Sequence, residues 1–202
     1  MAVKIVKPNL LVVEGREDEL FFGAFVKHLN LENIQILPIG GKTKLRENLG
    51  ALVTSPNFSN VTSLGIVRDA NDNPTGAFQS VHDALQSANL PSPQRPFELS
   101  GQDPQVMIMI LPEEERTGSL EDLCLSSVEN DEIIYCVEQH FGCLEEREIT
   151  LPRNITKAKV QVFLGSKEES GKRLGEAAQA GYWPLDSNVF TQIRNSLYEI
   201  GS

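Results

Sequence analysis

The chain opens on a short apolar run, Asn9 to Val13, closed by Glu14 and Gly15, after which Leu20, Phe21, Ala24, Phe25 and Leu29 recur at helical spacing. This pattern predicts a strand, a turn and an amphipathic helix, and the rhythm then returns twice. Ile34 to Ile39 is apolar and ends in Gly40 and Gly41, before Leu45, Leu49 and Leu52 repeat on one helical face. Val61 to Val67 runs into an acidic turn, and Phe78, Val81, Ala84 and Leu85 carry a third helix that Pro91 ends. Three such units in series predict parallel strands, because a helical crossover returns the chain in the same direction. Pro91, Pro93, Pro96, Gly101 and Pro104 surround a short segment from Phe97 to Ser100 and predict a loop or hairpin. The strongest strand follows, Val106 to Leu111, apolar on both faces as a central strand covered by helices must be.

Beyond Leu111 the pattern becomes helical: Ser119 to Val128, Asp131 to His140, Ile155 to Leu164 and Asn188 to Leu197 all read as helices, with linker candidates at Gly142 to Pro152 and Gly165 to Gly181. The expected fold is α/β: a mostly parallel sheet of about four strands flanked by helices over residues 1–128. A helical C-terminal extension, 129–202, is expected to pack on that core as part of a single compact unit.

Charge changes this picture more than length does. Lys and Arg number 18 against 28 Asp and Glu, a formal net charge of -10, so bulk electrostatics excludes adhesion to nucleic acid and any such contact needs a local basic patch or a bound metal. Cys124, Cys136 and Cys143 are odd in number and lack zinc-finger spacing, which predicts buried thiols in a reducing compartment. No apolar stretch approaches the roughly 18 residues of a membrane-spanning helix, and the N-terminus runs straight into a strand; a soluble cytoplasmic protein is expected, with no membrane partner.

The candidate chemistry is acidic. Glu14 closes the first strand and Asp18 lies in the first turn of the next helix; Asp69 ends the third strand, with Asn71 and Asp72 in the loop after it; Glu121 opens the helix after the last strand. Each has an ordinary explanation. Asp18, with Glu17 and Glu19, and Glu121, with Asp122, suit the positive end of a helix, and Asx-rich turns before proline reverse a chain. Helix capping alone does not require three strand ends to deliver acid to one edge of one sheet, whereas a hard divalent cation with oxygen ligands does.

A Glu-Gly turn with Asp four residues later, a strand ending in Gly-Gly, a strand ending in Asp69-Ala70-Asn71, and Leu111-Pro112 followed by Gly118-Ser119-Leu120-Glu121-Asp122 together resemble the Toprim domain. Within it the chain is similar to stand-alone prokaryotic Toprim-like proteins of unknown function and to the Toprim half of the overcoming-lysogenization-defect (OLD) nucleases, over roughly residues 9–128. Lys157 to Leu164 and the segment from Gly181 to Phe190 look like features of the stand-alone group. The resemblance implies Mg²⁺ or Mn²⁺, one ion at Glu14, Asp69 and the following loop and a second at Asp18 and Glu121, together clamping a scissile phosphodiester of nucleic acid. It also implies a catalytic lysine beside Glu14, for which Lys157 and Lys159 are the candidates, and an ATPase partner in a cellular or anti-phage pathway. One departure stands out: the usual Asp-x-Asp is Asp-Ala-Asn here, its second acid displaced to Asp72. The alternative is therefore a degenerate Toprim module, a binding or regulatory subunit without catalysis.

Gly40, Gly41, Lys42 and Lys44 suit a phosphate or nucleic-acid backbone at a helix N-terminus, or simply a tight turn; Ile36 stands where a Walker A loop needs glycine. His28, His82 and His140 lack ligand spacing, and Tyr182 and Trp183 are expected to anchor the C-terminal segment on the core. A receiver-type phosphoacceptor at Asp69 is disfavoured, because acid stands where such proteins need a lysine after the last strand.

Overall fold

Residues 4–41 and 44–202 are described by a computed structural model of the chain. The first two units are β1 (Asn9–Val13), α1 (Arg16–His28), β2 (Ile34–Pro38) and α2 (Leu45–Val53); β3 (Ser63–Asp69) and α3 (Pro74–Ser87) make the third. Two strands follow, β4 (Leu99–Ser100) and β5 (Gln105–Leu111), and then α4 (Leu120–Ser127), α5 (Glu132–Glu146), α6 (Ile155–Gly165), α7 (Leu174–Gln179) and α8 (Thr191–Gly201). The strands form one five-stranded sheet in the order β2-β1-β3-β5-β4, parallel except for β4, which forms a short antiparallel ladder with β5. The extra strand beyond the expected four is the edge piece that the Phe97 to Ser100 segment supplies.

Alternation along the strands sorts the core into two layers. Leu10, Val12, Leu64, Ile66, Ile108 and Ile110 face α2 and α3, whereas Leu11, Val13, Val67, Met107, Met109 and Leu111 face α1 and the helices after β5. The chain leaves β1 toward β2 on one side and then crosses back over β1 to reach β3. Right-handed crossovers in opposite directions put α1 and α2 on opposite faces and make the β1–β3 junction a topological switch point. Glu14, the first residue beyond β1, and Asp69, the last of β3, stand at the carboxyl end of that junction, where open α/β sheets bind their ligands.

The C-terminal helices are part of the second layer. α8 lies across β1, β3 and β5, and a Cβ placed on Gly65 of β3 would stand 2.5 Å from Ile200 Cδ1, so this glycine sets how closely the helix approaches the sheet. Trp183 is buried, stacks on Phe163 with ring centroids 5.3 Å apart and donates Nε1–H to the Leu174 carbonyl at 3.0 Å, as the core reading requires. α7 falls inside the stretch expected to be a linker. It is short, and its contact with α1, rather than a long apolar stripe, holds it. Cys124 is buried, but Cys136 and Cys143 are exposed: Val137 and Phe141 form the inward stripe of α5, and the two thiols lie off it. The expectation of three buried thiols is corrected there. Among the described residues, no helix is long and apolar enough to cross a membrane.

Gly175 of α7 packs on the first turn of α1, the turn that carries Asp18. Its N–H donates to Glu17 Oε2 at 3.0 Å, and an added Cβ would lie 2.4 Å from the Glu17 carbonyl oxygen. Backbone cannot move aside as a side chain can, so Gly175→Ala is expected to cost about 1–3 kcal/mol in urea unfolding. Wild-type stability in that variant would contradict this packing.

Candidate metal centre

Each acidic side chain at the carboxyl edge is placed by a different local rule. Glu14 is the first residue beyond β1, and Asp18 is held because its Oδ2 accepts the Gly15 N–H at 2.9 Å at the start of α1. Asp69 is the last residue of β3; its Oδ1 accepts the Leu120 N–H at 3.0 Å, tying the strand end to the first turn of α4 and bringing Glu121 beside it. Asp122 serves the helix instead, its Oδ2 accepting the Ser119 N–H and hydroxyl at 2.8 and 2.9 Å and its Oδ1 the Thr156 hydroxyl at 3.1 Å.

The convergence is visible in the acidities. Burial pushes Asp69 up to about 8 from an ordinary 3.8; the charges of Glu121, Asp18 and Glu14 raise it further, and the Leu120 N–H offsets only part. Asp18 is raised to about 6, by burial first, with Glu14 and Glu121 adding to it and the Gly15 N–H and Lys157 opposing. The same field reaches Cys124, whose thiol is pushed up by burial and then by Glu121 and Asp69. Glu14, Asp18, Asp69 and Glu121 therefore share one pocket of negative potential.

They are not yet gathered as a ligand set: among the described residues, no three acidic, His or Cys side chains stand close enough to hold an ion. Each carboxylate is engaged elsewhere. Asp18 and Asp69 hold backbone N–H groups, Glu121 Oε1 lies 3.4 Å from Lys157 Nζ, and Glu14 Oε1 lies 3.1 Å from Arg68 Nε. The donors are all oxygen, which suits Mg²⁺ or Mn²⁺, and Glu14 Oε1 is buried and makes no hydrogen bond, only the ion pair with Arg68.

The remaining candidates divide. Asn71 adopts φ 49°, bridges Gly118 through both backbone groups at 2.7 and 2.8 Å, and turns its amide back to the Asp69 carbonyl at 3.3 Å. Gly118 needs its own φ of 133° to make that bridge. Asp72 is exposed and lines an adjoining groove with Asn71, Asp122, Arg153 and Thr156, while Asn73 caps α3 by accepting the Gly76 N–H at 2.8 Å. Of the two lysines on α6, Lys157 points to the cluster, whereas Lys159 is bound by both carboxylate oxygens of Glu138 on α5, at 2.6 and 2.7 Å. Gly40 and Gly41, with φ of 75° and 104°, dock beside the site because the Gly41 N–H donates to the Glu14 carbonyl at 2.8 Å; Lys44 is exposed at the N-terminus of α2. Lys42 lies outside the described residues. Sequence reasoning missed Arg68, whose only signal was a basic residue directly before Asp69 at the end of a mostly apolar strand.

Residues 8–201 match the family described as protein of unknown function DUF3226. No curated protein matches the chain. Among solved structures the fold is similar to the C-terminal region of the Burkholderia pseudomallei OLD protein, with a TM-score of 0.57 at 14% identity over 98% of each chain. It is also similar to the C-terminal region of the Xanthomonas campestris pv. campestris OLD protein, with a TM-score of 0.52 at 15% identity over 98% of this chain and 97% of the other. At such identities the likeness is one of fold, and it agrees with the Toprim-like architecture expected from the motifs. The similarity spans 98% of this chain and so extends past residue 128. The chain belongs to the DUF3226 family and carries the fold of OLD C-terminal regions.

Proposed function

We propose that this chain is a Mg²⁺- or Mn²⁺-dependent phosphodiesterase acting on nucleic acid. The observation that carries the reading is the placement of Glu14, Asp18, Asp69 and Glu121 at one edge of the sheet, where burial first, and neighbouring carboxylates after it, raise Asp18 to about 6 and Asp69 to about 8. Four acids so placed are costly without a cation, and fold likeness to OLD C-terminal regions supports the same reading. A bound divalent ion would supply Lewis-acid stabilisation of a phosphate oxygen. Glu14 and Asp69 are the ligands assigned to one ion, Asp18 and Glu121 to the second. Lys157, already 3.4 Å from Glu121 and largely exposed, is the cation placed to meet a phosphate from the solvent side. Lys159, committed to Glu138, has no part in this reading. The Gly40–Gly41 turn borders the crevice beside Glu14 and is assigned to backbone contact with the substrate. An ATPase partner for this chain, and a role in defence against phage, follow from the family resemblance alone.

The rival reading, a binding module without catalysis, draws on Asn71, a neutral residue where the Toprim pattern has an acid. Cleavage separates the two. With 5 mM Mn²⁺, wild-type protein is expected to cut plasmid DNA or single-stranded RNA, and Glu14→Ala or Asp69→Ala to lower the rate by more than about 100-fold. Lys157→Ala should lower the rate while leaving Mn²⁺ binding in place. Absence of both a Mn²⁺-induced thermal shift and cleavage in wild-type protein would leave the binding module.

The raised acidities give a second test in ion-free protein. A carboxyl whose folded pKa is raised favours the folded state while protonated. Its contribution is complete below the ordinary 3.8 and is lost as pH rises through about 6 for Asp18 and about 8 for Asp69. Urea unfolding in EDTA is therefore expected to show stability falling by roughly 2–5 kcal/mol from pH 5 to pH 9, and Asp69→Asn should flatten that slope. Equal slopes in the two proteins would contradict the shared field.

A further inference from the structure

Arg68 is the penultimate residue of a strand otherwise built for burial, and its side chain is only 11% exposed. Val12 of β1 lies opposite Ile66 of β3 in the parallel ladder, and just beyond it Glu14 Oε1 lies 3.1 Å from Arg68 Nε. By alternation along β3, Arg68 belongs with Leu64 and Ile66 on the α2–α3 side and Asp69 with Val67 on the other. The guanidinium is thus the charged neighbour of Glu14 in the ion-free protein, while the charge of Glu14 still reaches Asp18 and Asp69.

We propose that Arg68 is a resident counter-cation of the site, holding Glu14 in the ion-free protein and competing with a divalent ion for it. The proposal rests on the reading of Glu14 and Asp69 as ligands, and it adds a regulator to that reading. Glu14 is 25% exposed on its side chain and its Oε1 is buried, so the pair sits where charge is screened weakly and where loss of one partner leaves the other exposed to the field of Asp18 and Asp69. The arrangement sets a threshold: the free site is kept from binding weakly held cations, and an ion must outcompete an internal charge before Glu14 joins Asp69. Lys157 stands in the same relation to Glu121, but with its ammonium largely in water, and it holds that acid less firmly.

Titration calorimetry with Mn²⁺ alone at pH 8, beside thermal unfolding in EDTA, tests the proposal. Arg68→Met is expected to bind Mn²⁺ at least fivefold more tightly than wild type and to melt several degrees lower when ion-free. Arg68→Lys, which keeps the charge, should return affinity close to wild type. Unchanged or weaker Mn²⁺ binding in Arg68→Met overturns the competition while leaving the metal-centre reading intact; failure of the wild-type protein to bind Mn²⁺ overturns both. If Arg68→Met does not fold, Glu14→Gln with Arg68→Met supplies the test: a double variant that folds in EDTA where the single one fails supports the pairing, and one that fails alike refutes it.

Discussion

Repulsion among four carboxylates at one sheet edge is the constraint on which the rest of this structure depends. Asp69 is buried in the field of Glu121, Asp18 and Glu14, and a fold selected for stability alone would put apolar or neutral side chains there. The cost is kept tolerable by small compensations drawn from the backbone and from two cations. The Leu120 and Gly15 N–H groups face Asp69 and Asp18, and Arg68 and Lys157 face Glu14 and Glu121. Every one of these partners lies at a strand end or in the first turn of a helix, where unpaired donors and positive potential are available.

The architecture delivers the acids through its connectivity. Because α1 and α2 cover opposite faces, the β1–β3 junction opens at its carboxyl end, and the first residue after β1 and the last of β3 have to border it. Asp69 is then fastened to α4 by one hydrogen bond that also fixes where Glu121 begins its helix. The far layer completes the support: α7 packs on the turn bearing Asp18, and α8 lies against the strands through Gly65. A disturbance in the C-terminal helices therefore reaches the acidic edge through α1.

Much of this was legible in the sequence, because strand ends marked by Glu-Gly, Gly-Gly and Asp-Ala-Asn report position directly. What was not legible depends on faces and partners. Lys157 and Lys159 are two residues apart, about 200° around a helix, and only the packing of α6 between α4 and α5 separates the one beside Glu121 from the one bound to Glu138. α7 was hidden because six residues with two alanines and a glycine carry no stripe, and its place is decided by a close approach to α1 that sequence does not record. Arg68 was hidden because a charge near a strand end reads as solvent-facing until the fold buries it beside Glu14. Asn71 and Asp72 were read as further oxygen donors of the loop after β3; sequence did not record the left-handed backbone at Asn71, its bridge to Gly118, or the groove that both residues line.

Anomalous diffraction from a crystal soaked in Mn²⁺ addresses the central claim most directly. A peak within about 2.0–2.4 Å of carboxylate oxygens from both Glu14 and Asp69, with Glu14 drawn away from Arg68, is the expected result. Density showing Glu14 still paired with Arg68, and no manganese at the β1–β3 crevice, would contradict the account.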